Sequence, residues 1–167
     1  MMNFNEKIKL PQRKPLRLKE YDYSTPGAYF ITICTKDRKH FLSEIVGDDA
    51  HIVPENYLSD CGLICDKYIN SINTEYENVT VDKYVVMPNH IHLIISIRGT
   101  MKASSPTTSI VTIIRTFKTM VTKEIGIPIW QRSFHDHIIR GERDYEKIWQ
   151  YIDTNVACWE KDCFYNE

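Results

Sequence analysis

The spacing of apolar residues divides the chain into short elements of two kinds. Ala28-Tyr29-Phe30-Ile31-Thr32-Ile33-Cys34-Thr35 is β-branched and aromatic and predicts a strand, closed by the charged turn at 36–39. Between 54 and 76, Cys61, Ile64, Cys65, Tyr68, Ile69 and Ile72 recur at helical spacing and predict an amphipathic helix. Residues 79–86 read as a strand, broken by Met87-Pro88-Asn89, and 91–97 as a second strand. After a small, polar loop at 99–108, Ser109 opens another helix. Its apolar stripe is Ile110, Ile113, Ile114, Phe117, Met120 and Val121, with Arg115, Thr119, Thr122 and Lys123 opposite; Gly126 and Pro128 end it. Residues 129–140 hold a strand or an irregular segment, and a last helix starts near Glu142. Residues 1–26 are basic, carry Pro11, Pro15 and Pro26, and show no period, which predicts an extended arm followed by a single domain over 27–167. Short strands mixed with helices in this order predict an α+β layer: one antiparallel sheet with helices packed against it.

Composition narrows the class without changing that picture. With 167 residues, 43% hydrophobic and 26% charged, the chain fits one globular domain and excludes disordered, collagenous and coiled-coil classes. No apolar run approaches the roughly 20 residues that span a bilayer, and the start of the chain lacks the apolar stretch of a signal peptide, so a cytoplasmic protein without a membrane partner is expected. Five cysteines, an odd number, are expected as thiols, with Cys61 and Cys65 as small apolar residues of a helix face rather than half a zinc site.

Charge adds a candidate partner. The net charge of −1 conceals segregation: residues 1–40 carry +5, 41–80 carry −7, 101–140 carry +4 and 141–167 carry −4. Arg13, Lys14, Arg17 and Lys19 on the arm, and Arg115, Lys118, Lys123, Arg132 and Arg140 beyond residue 100, form candidate phosphate contacts. An ordinary solvated surface remains the alternative for any one of them.

The chemistry concentrates in Tyr84-Val85-Val86-Met87-Pro88-Asn89-His90-Ile91-His92-Leu93-Ile94-Ile95. On a strand, His90 and His92 share one face while Ile91, Leu93 and Ile95 point to the other. Two imidazoles so placed can bind one divalent metal, with a further ligand from elsewhere. His135 and His137 also alternate and form a rival pair, but Asp136 between them lacks the apolar framing of Ile91.

These segments resemble a known family. Tyr29-Phe30-Ile31-Thr32, Val86-Met87-Pro88-Asn89-His90-Ile91-His92 and Trp130-Gln131-Arg132-Ser133-Phe134-His135-Asp136-His137 are similar to the REP-associated tyrosine transposases, among the single-tyrosine transposases of insertion sequences. The resemblance runs from about Tyr21 to Trp159. It implies a ferredoxin-like sheet and a tyrosine nucleophile on a helix after the histidines. In the helix near 142–155, Tyr145, Ile148, Trp149 and Ile152 form the apolar stripe, while Tyr151 and Asn155 lie beside one another off its centre, so Tyr151 is the candidate nucleophile and Tyr145 a core residue. Tyr151-x-x-x-Asn155 matches the family's pairing of nucleophile and metal ligand, although Val156 stands where family members often have Pro. The implied metal ligands are His90, His92 and Asn155, and the implied cofactor is a divalent ion, Mg2+ or Mn2+. The resemblance further implies nicking and rejoining of single-stranded or hairpin DNA, such as repetitive palindromic elements, through a 5′-phosphotyrosine, by a monomer or homodimer. A replication initiator or relaxase of the same chemistry and a non-catalytic nucleic-acid-binding module are the alternatives.

Overall fold

The computed structural model describes residues 20–47, 54–99 and 108–165. The described residues form β1 (Gly27–Cys34), β2 (Ser43–Val46), β3 (Glu55–Leu58), α1 (Asp60–Glu75), β4 (Val79–Val86), β5 (His90–Ile97), α2 (Ile110–Ile125), β6 (His135–Ile139) and α3 (Glu142–Thr154). The basic residues Arg13, Lys14, Arg17 and Lys19, and most of the 99–108 loop, lie outside the described residues.

Strands β4, β5, β1 and β6 lie side by side in that order, each pair antiparallel. Because β1 and β4 both pair with β5, they run parallel to each other and α1 joins them; β5 and β6 are parallel in the same way through α2. Two such crossovers on one four-stranded sheet are the ferredoxin-like arrangement, so the expected fold class stands. The segment expected as the end of the arm begins to fold at Tyr21: Tyr23 is buried in the core, and its hydroxyl donates to Asp136 Oδ2 at 2.6 Å.

Strand alternation sorts the side chains. Tyr29, Ile31 and Ile33 of β1 and Ile91, Leu93, Ile95 and Ile97 of β5 join Ile69 and Ile72 of α1 and Ile110, Ile113, Ile114, Phe117 and Val121 of α2 in one buried core. Phe30 and Thr32 of β1 and His90 and His92 of β5 face the opposite side. There α3 lies over β4 and β5, with Ile152 buried and Lys83 paired to Asp153. The sheet is thus a partition with an apolar core on one face and the polar, histidine-bearing face under α3.

Two differences from the sequence reading concern boundaries. The helix inferred within 54–76 starts only at Asp60, where the Ser59 side chain caps it by accepting from Gly62 N at 3.1 Å. The preceding residues form β3, paired with β2 in a hairpin of four residues per strand that the sequence reading missed. That hairpin braces the end of β4: Ser43 Oγ and Asn56 Nδ2 both donate to Val86 O.

Gly62 carries the docking of α1 on this hairpin. A Cβ at this position would lie 2.0 Å from the carbonyl oxygen of Leu42, and Leu42 N in turn donates to Pro88 O beside the histidines. Gly62→Ala is therefore expected to lower the stability measured by urea unfolding by about 1–3 kcal/mol, the range of overpacked cores. An unchanged midpoint would show that α1 moves away freely.

Candidate active site

The Met87-Pro88-Asn89 break turns β4 tightly into β5. Met87 N donates to His90 O at 2.8 Å, and Thr35 N and Oγ1 both donate to Asn89 O. The turn places His90 and His92 at 0% and 1% exposure, with ring centroids 4.4 Å apart. Each imidazole is held through Nδ1: His90 lies 2.9 Å from Asn89 Oδ1 and His92 lies 2.9 Å from Thr32 Oγ1. Asn89 Oδ1 can only accept, so His90 Nδ1 carries its proton and Nε2 presents a lone pair. The Thr32 hydroxyl accommodates either tautomer of His92 because it can donate or accept.

Tyr151 reaches the same place from α3. Its hydroxyl lies 3.2 Å from His92 Nε2 and donates to Asp162 Oδ2 at 2.8 Å. The Tyr145 hydroxyl instead donates at 3.0 Å to Asp82, the residue skipped by the β4 bulge between Val81 and Lys83. Tyr145 stacks on Trp149 at 5.9 Å but is half-buried and outside the core cluster, so it is not the core residue expected; of the stripe only Ile152 is buried. One turn beyond Tyr151, Asn155 is 2% exposed, and its Nδ2 donates to the same Asp162 Oδ2 at 2.8 Å.

Asp162 is the member that sequence reasoning missed. It follows the single turn of 3-10 helix at Trp159–Lys161, which folds the chain end back over β5. There the Phe164 ring sits 4.7 Å from His90, and Asn89 Nδ2 donates to Phe164 O. Arg38, also not singled out in the sequence, places its guanidinium 5.5 Å over the Phe164 ring. Burial pushes the Asp162 carboxyl up, but hydrogen bonds from Phe164 N, Asn155 and Tyr151 outweigh it and hold the group below its usual value. For Tyr151, burial and then the bond to Asp162 hold the phenol above its usual value.

The donor set fits a divalent cation. Among the described residues, the buried His90 Nε2 and Asn155 Oδ1 have no hydrogen-bond partner, which leaves both lone pairs open to an ion. Ligand atoms of His90, His92 and Asp162 lie within 4.8 Å of one another. Burial lowers the His90 pKa to about 4 and also lowers that of His92, so both rings are neutral at pH 7, the form that can hold a metal. Without metal, the unfolded chain takes up a proton at His90 near pH 6.5, whereas the folded chain does so only near about 4. The unfolded state therefore holds more protons across that window, and stability falls as pH falls through it. In chelator, the melting temperature should drop steadily from pH 6.5 to 4, and His90→Gln should flatten the slope; equal slopes would remove His90 as the source.

A model of the IS200-like transposase family matches residues 25–155. The chain belongs to that family. A Haemophilus influenzae protein of uncharacterised function is 33% identical over 92% of this chain and 93% of its own length. A second protein of that organism, whose name marks it as a candidate REP-associated tyrosine transposase, is 26% identical over 80% of this chain and 72% of its own. Among solved structures, a REP-associated tyrosine transposase bound to a REP hairpin aligns with a TM-score of 0.57, at 22% identity, over 84% of this chain and 73% of that one. The shared fold and the REP-associated resemblance agree with the motifs read in the sequence.

Within this IS200-like transposase, the remaining candidate residues lie apart from the histidine cluster. His135 and His137 stand exposed on β6, and His137 Nε2 lies 2.9 Å from Asp144 Oδ2. Arg115, Lys123, Arg132 and Arg140 are exposed, while Lys118 is half-buried and donates to Gln131 O and Ser133 O at 2.6 and 2.7 Å. All five cysteines are free thiols, with Cys65 buried in the core and Cys61 packed against it. Among the described residues no helix is long and apolar enough to cross a membrane.

Proposed function

We propose that this transposase nicks and rejoins single-stranded DNA beside a hairpin, using Tyr151 as nucleophile. The observation that carries this reading is the Tyr151 hydroxyl between His92 Nε2 and Asp162 Oδ2, beside His90 Nε2 and Asn155 Oδ1, both buried and without a hydrogen-bond partner among the described residues. His90, His92 and Asn155, with Asp162 in reach, would hold Mg2+ or Mn2+, a choice favoured by mixed imidazole and oxygen donors. Such an ion supplies polarisation of the scissile phosphate and neutralises charge developing on its oxygens.

The chain's own groups do the rest. Asp162 keeps Tyr151 protonated and oriented until attack, then accepts the phenolic proton. The Tyr151 oxygen bonds to phosphorus, the bond from phosphorus to the 3′-oxygen breaks, and that oxygen takes a proton from water to leave as a free 3′-hydroxyl. The 5′-phosphate stays on Tyr151. Attack by another 3′-hydroxyl restores the phosphodiester and the phenol, so joining needs no external energy source. The phosphate must come close to buried histidines under α3, which a single strand can do more easily than a duplex.

Incubating a hairpin with single-stranded flanks and Mn2+ should give a nicked strand whose 3′ end a polymerase extends. Absence of any nick on a panel of such strands would contradict the reading. Asp162→Asn keeps the hydrogen-bonding shape but removes the proton acceptor, and is expected to slow nicking about 100-fold or more. Nicking at the native rate would assign Asp162 to the fold alone.

A further inference from the structure

A cavity lies on the other side of the sheet. It opens between α2 and residues 128–134, has a volume of about 690 Å³, and is lined by Ile114, Arg115, Lys118, Lys123, Trp130 and Phe134 among others. Arg115 and Lys123 are exposed at its margin, one and the other two turns apart on the same helix. Lys118 has a different part. Burial lowers its pKa to about 8, and its ammonium bridges the carbonyls of Gln131 and Ser133, fixing a wall in which Ser133 adopts φ +72°.

That wall is stitched to the catalytic end of β1. Gln131 N donates to Cys34 O at 2.9 Å, Trp130 bridges Thr35, and Cys34 is the direct cross-strand partner of His90. The Cys34 thiol feels both the Lys118 and the Asp162 charges, which places the cavity wall and the tyrosine site around the same strand end. The cavity wall and the histidine face thus adjoin at one strand end.

We propose that the cavity receives one unpaired nucleotide of the DNA strand, its base against Trp130 and its phosphates against Arg115 and Lys123. The inference rests on DNA as the substrate of the proposed reaction. The size falls within the roughly 300–1,000 Å³ of small-ligand pockets, enough for one nucleotide and too small for a duplex. Aromatic surface flanked by cations is also how single strands are gripped, by stacking together with phosphate neutralisation. The +4 charge of residues 101–140 fits a polyanion and not a basic partner.

Fluorescence anisotropy with a labelled hairpin carrying single-stranded flanks tests this in chelator, where no cleavage interferes. Arg115→Glu combined with Lys123→Glu should weaken binding at least tenfold and flatten the slope of log affinity against log salt by about 1.4, the loss of two single-strand phosphate contacts. Arg98→Glu, exposed at the opposite end of β5, serves as the charge control and should change affinity far less. Abasic substitution along the flank should find one position that costs the native protein severalfold and Trp130→Leu little. A double reversal no worse than the control, or abasic losses equal in the native and Trp130→Leu proteins, would overturn the proposal. Covalent adduct formation in Mn2+ is read separately with the native protein; its absence would sink the cleavage reading and leave the binding result to stand or fall alone.

Discussion

Tyr151→Phe should abolish the covalent protein–DNA adduct and nicking together, by at least about 1,000-fold, while the fold persists. Phe retains the ring, which lies 6.1 Å edge-on to Phe30 and 5.1 Å from His92, so packing is conserved. The lost hydroxyl removes its bonds to Asp162 and His92, at a cost of about 1 kcal/mol in stability. Asp162 Oδ2 keeps its bond from Asn155, so no carboxylate is left without a donor. Tyr145→Phe is the matched comparison, because its hydroxyl points to Asp82, and near-native cleavage is expected there. A denaturing gel of labelled strand distinguishes the variants. Adduct formed by Tyr151→Phe but lost in Tyr145→Phe would move the nucleophile to Tyr145.

His90→Ala and His92→Ala should each eliminate cleavage and divalent-metal binding while leaving hairpin affinity within about threefold of native. Phosphate contacts supply most nucleic-acid affinity, and both rings are too buried to provide them. Titration calorimetry with Mn2+ should detect one site in the native protein and none in either variant. His90→Ala leaves a void beside Trp159 and Phe164, and His92→Ala one beside Phe30, Tyr151 and Phe164, so the similarly sized His90→Gln accompanies the pair. Affinity collapsing in parallel with cleavage in all three variants would mean that the histidines hold the fold rather than an ion.

The legible parts of this molecule are those governed by local periodicity. Alternation along β5 settles that His90 and His92 share a face and that Ile91 and Leu93 share the other, and the structure has them so. The stripe of α2 was equally plain, down to the Ser109 cap and the left-handed Gly126 at its end, except that Met120, expected on the stripe, is exposed at its edge. The β2–β3 hairpin was missed because four-residue strands such as Ser-Glu-Ile-Val and Glu-Asn-Tyr-Leu hold too few apolar positions to show a period. Lys118 looked like an exposed cation because charge type says nothing of a partner: its amine is taken up by carbonyls 13 and 15 residues away.

Asp162 was the costliest omission. Its place depends on a single 3-10 turn after α3 and on Phe164 settling over His90, contacts that join residues more than 70 apart in sequence. One signal was available: an acid seven residues beyond Asn155, past the end of the helix pattern. His135 and His137 show the converse, a readable alternation with no cluster behind it. They stand exposed on an edge strand, and His137 pairs with Asp144.

The central claim is that Tyr151 carries the 5′-phosphate of a cut strand. Trypsin cleaves after Lys147 and Lys161, releasing residues 148–161, a peptide whose one tyrosine is Tyr151. Adduct formed on a hairpin-flanked single strand in Mn2+, digested with nuclease and trypsin, should yield this peptide heavier by a nucleotide linked through its 5′-phosphate, with fragmentation placing the mass on Tyr151. The same mass found on a peptide carrying another tyrosine, or a nicked strand with every peptide unmodified, would contradict it.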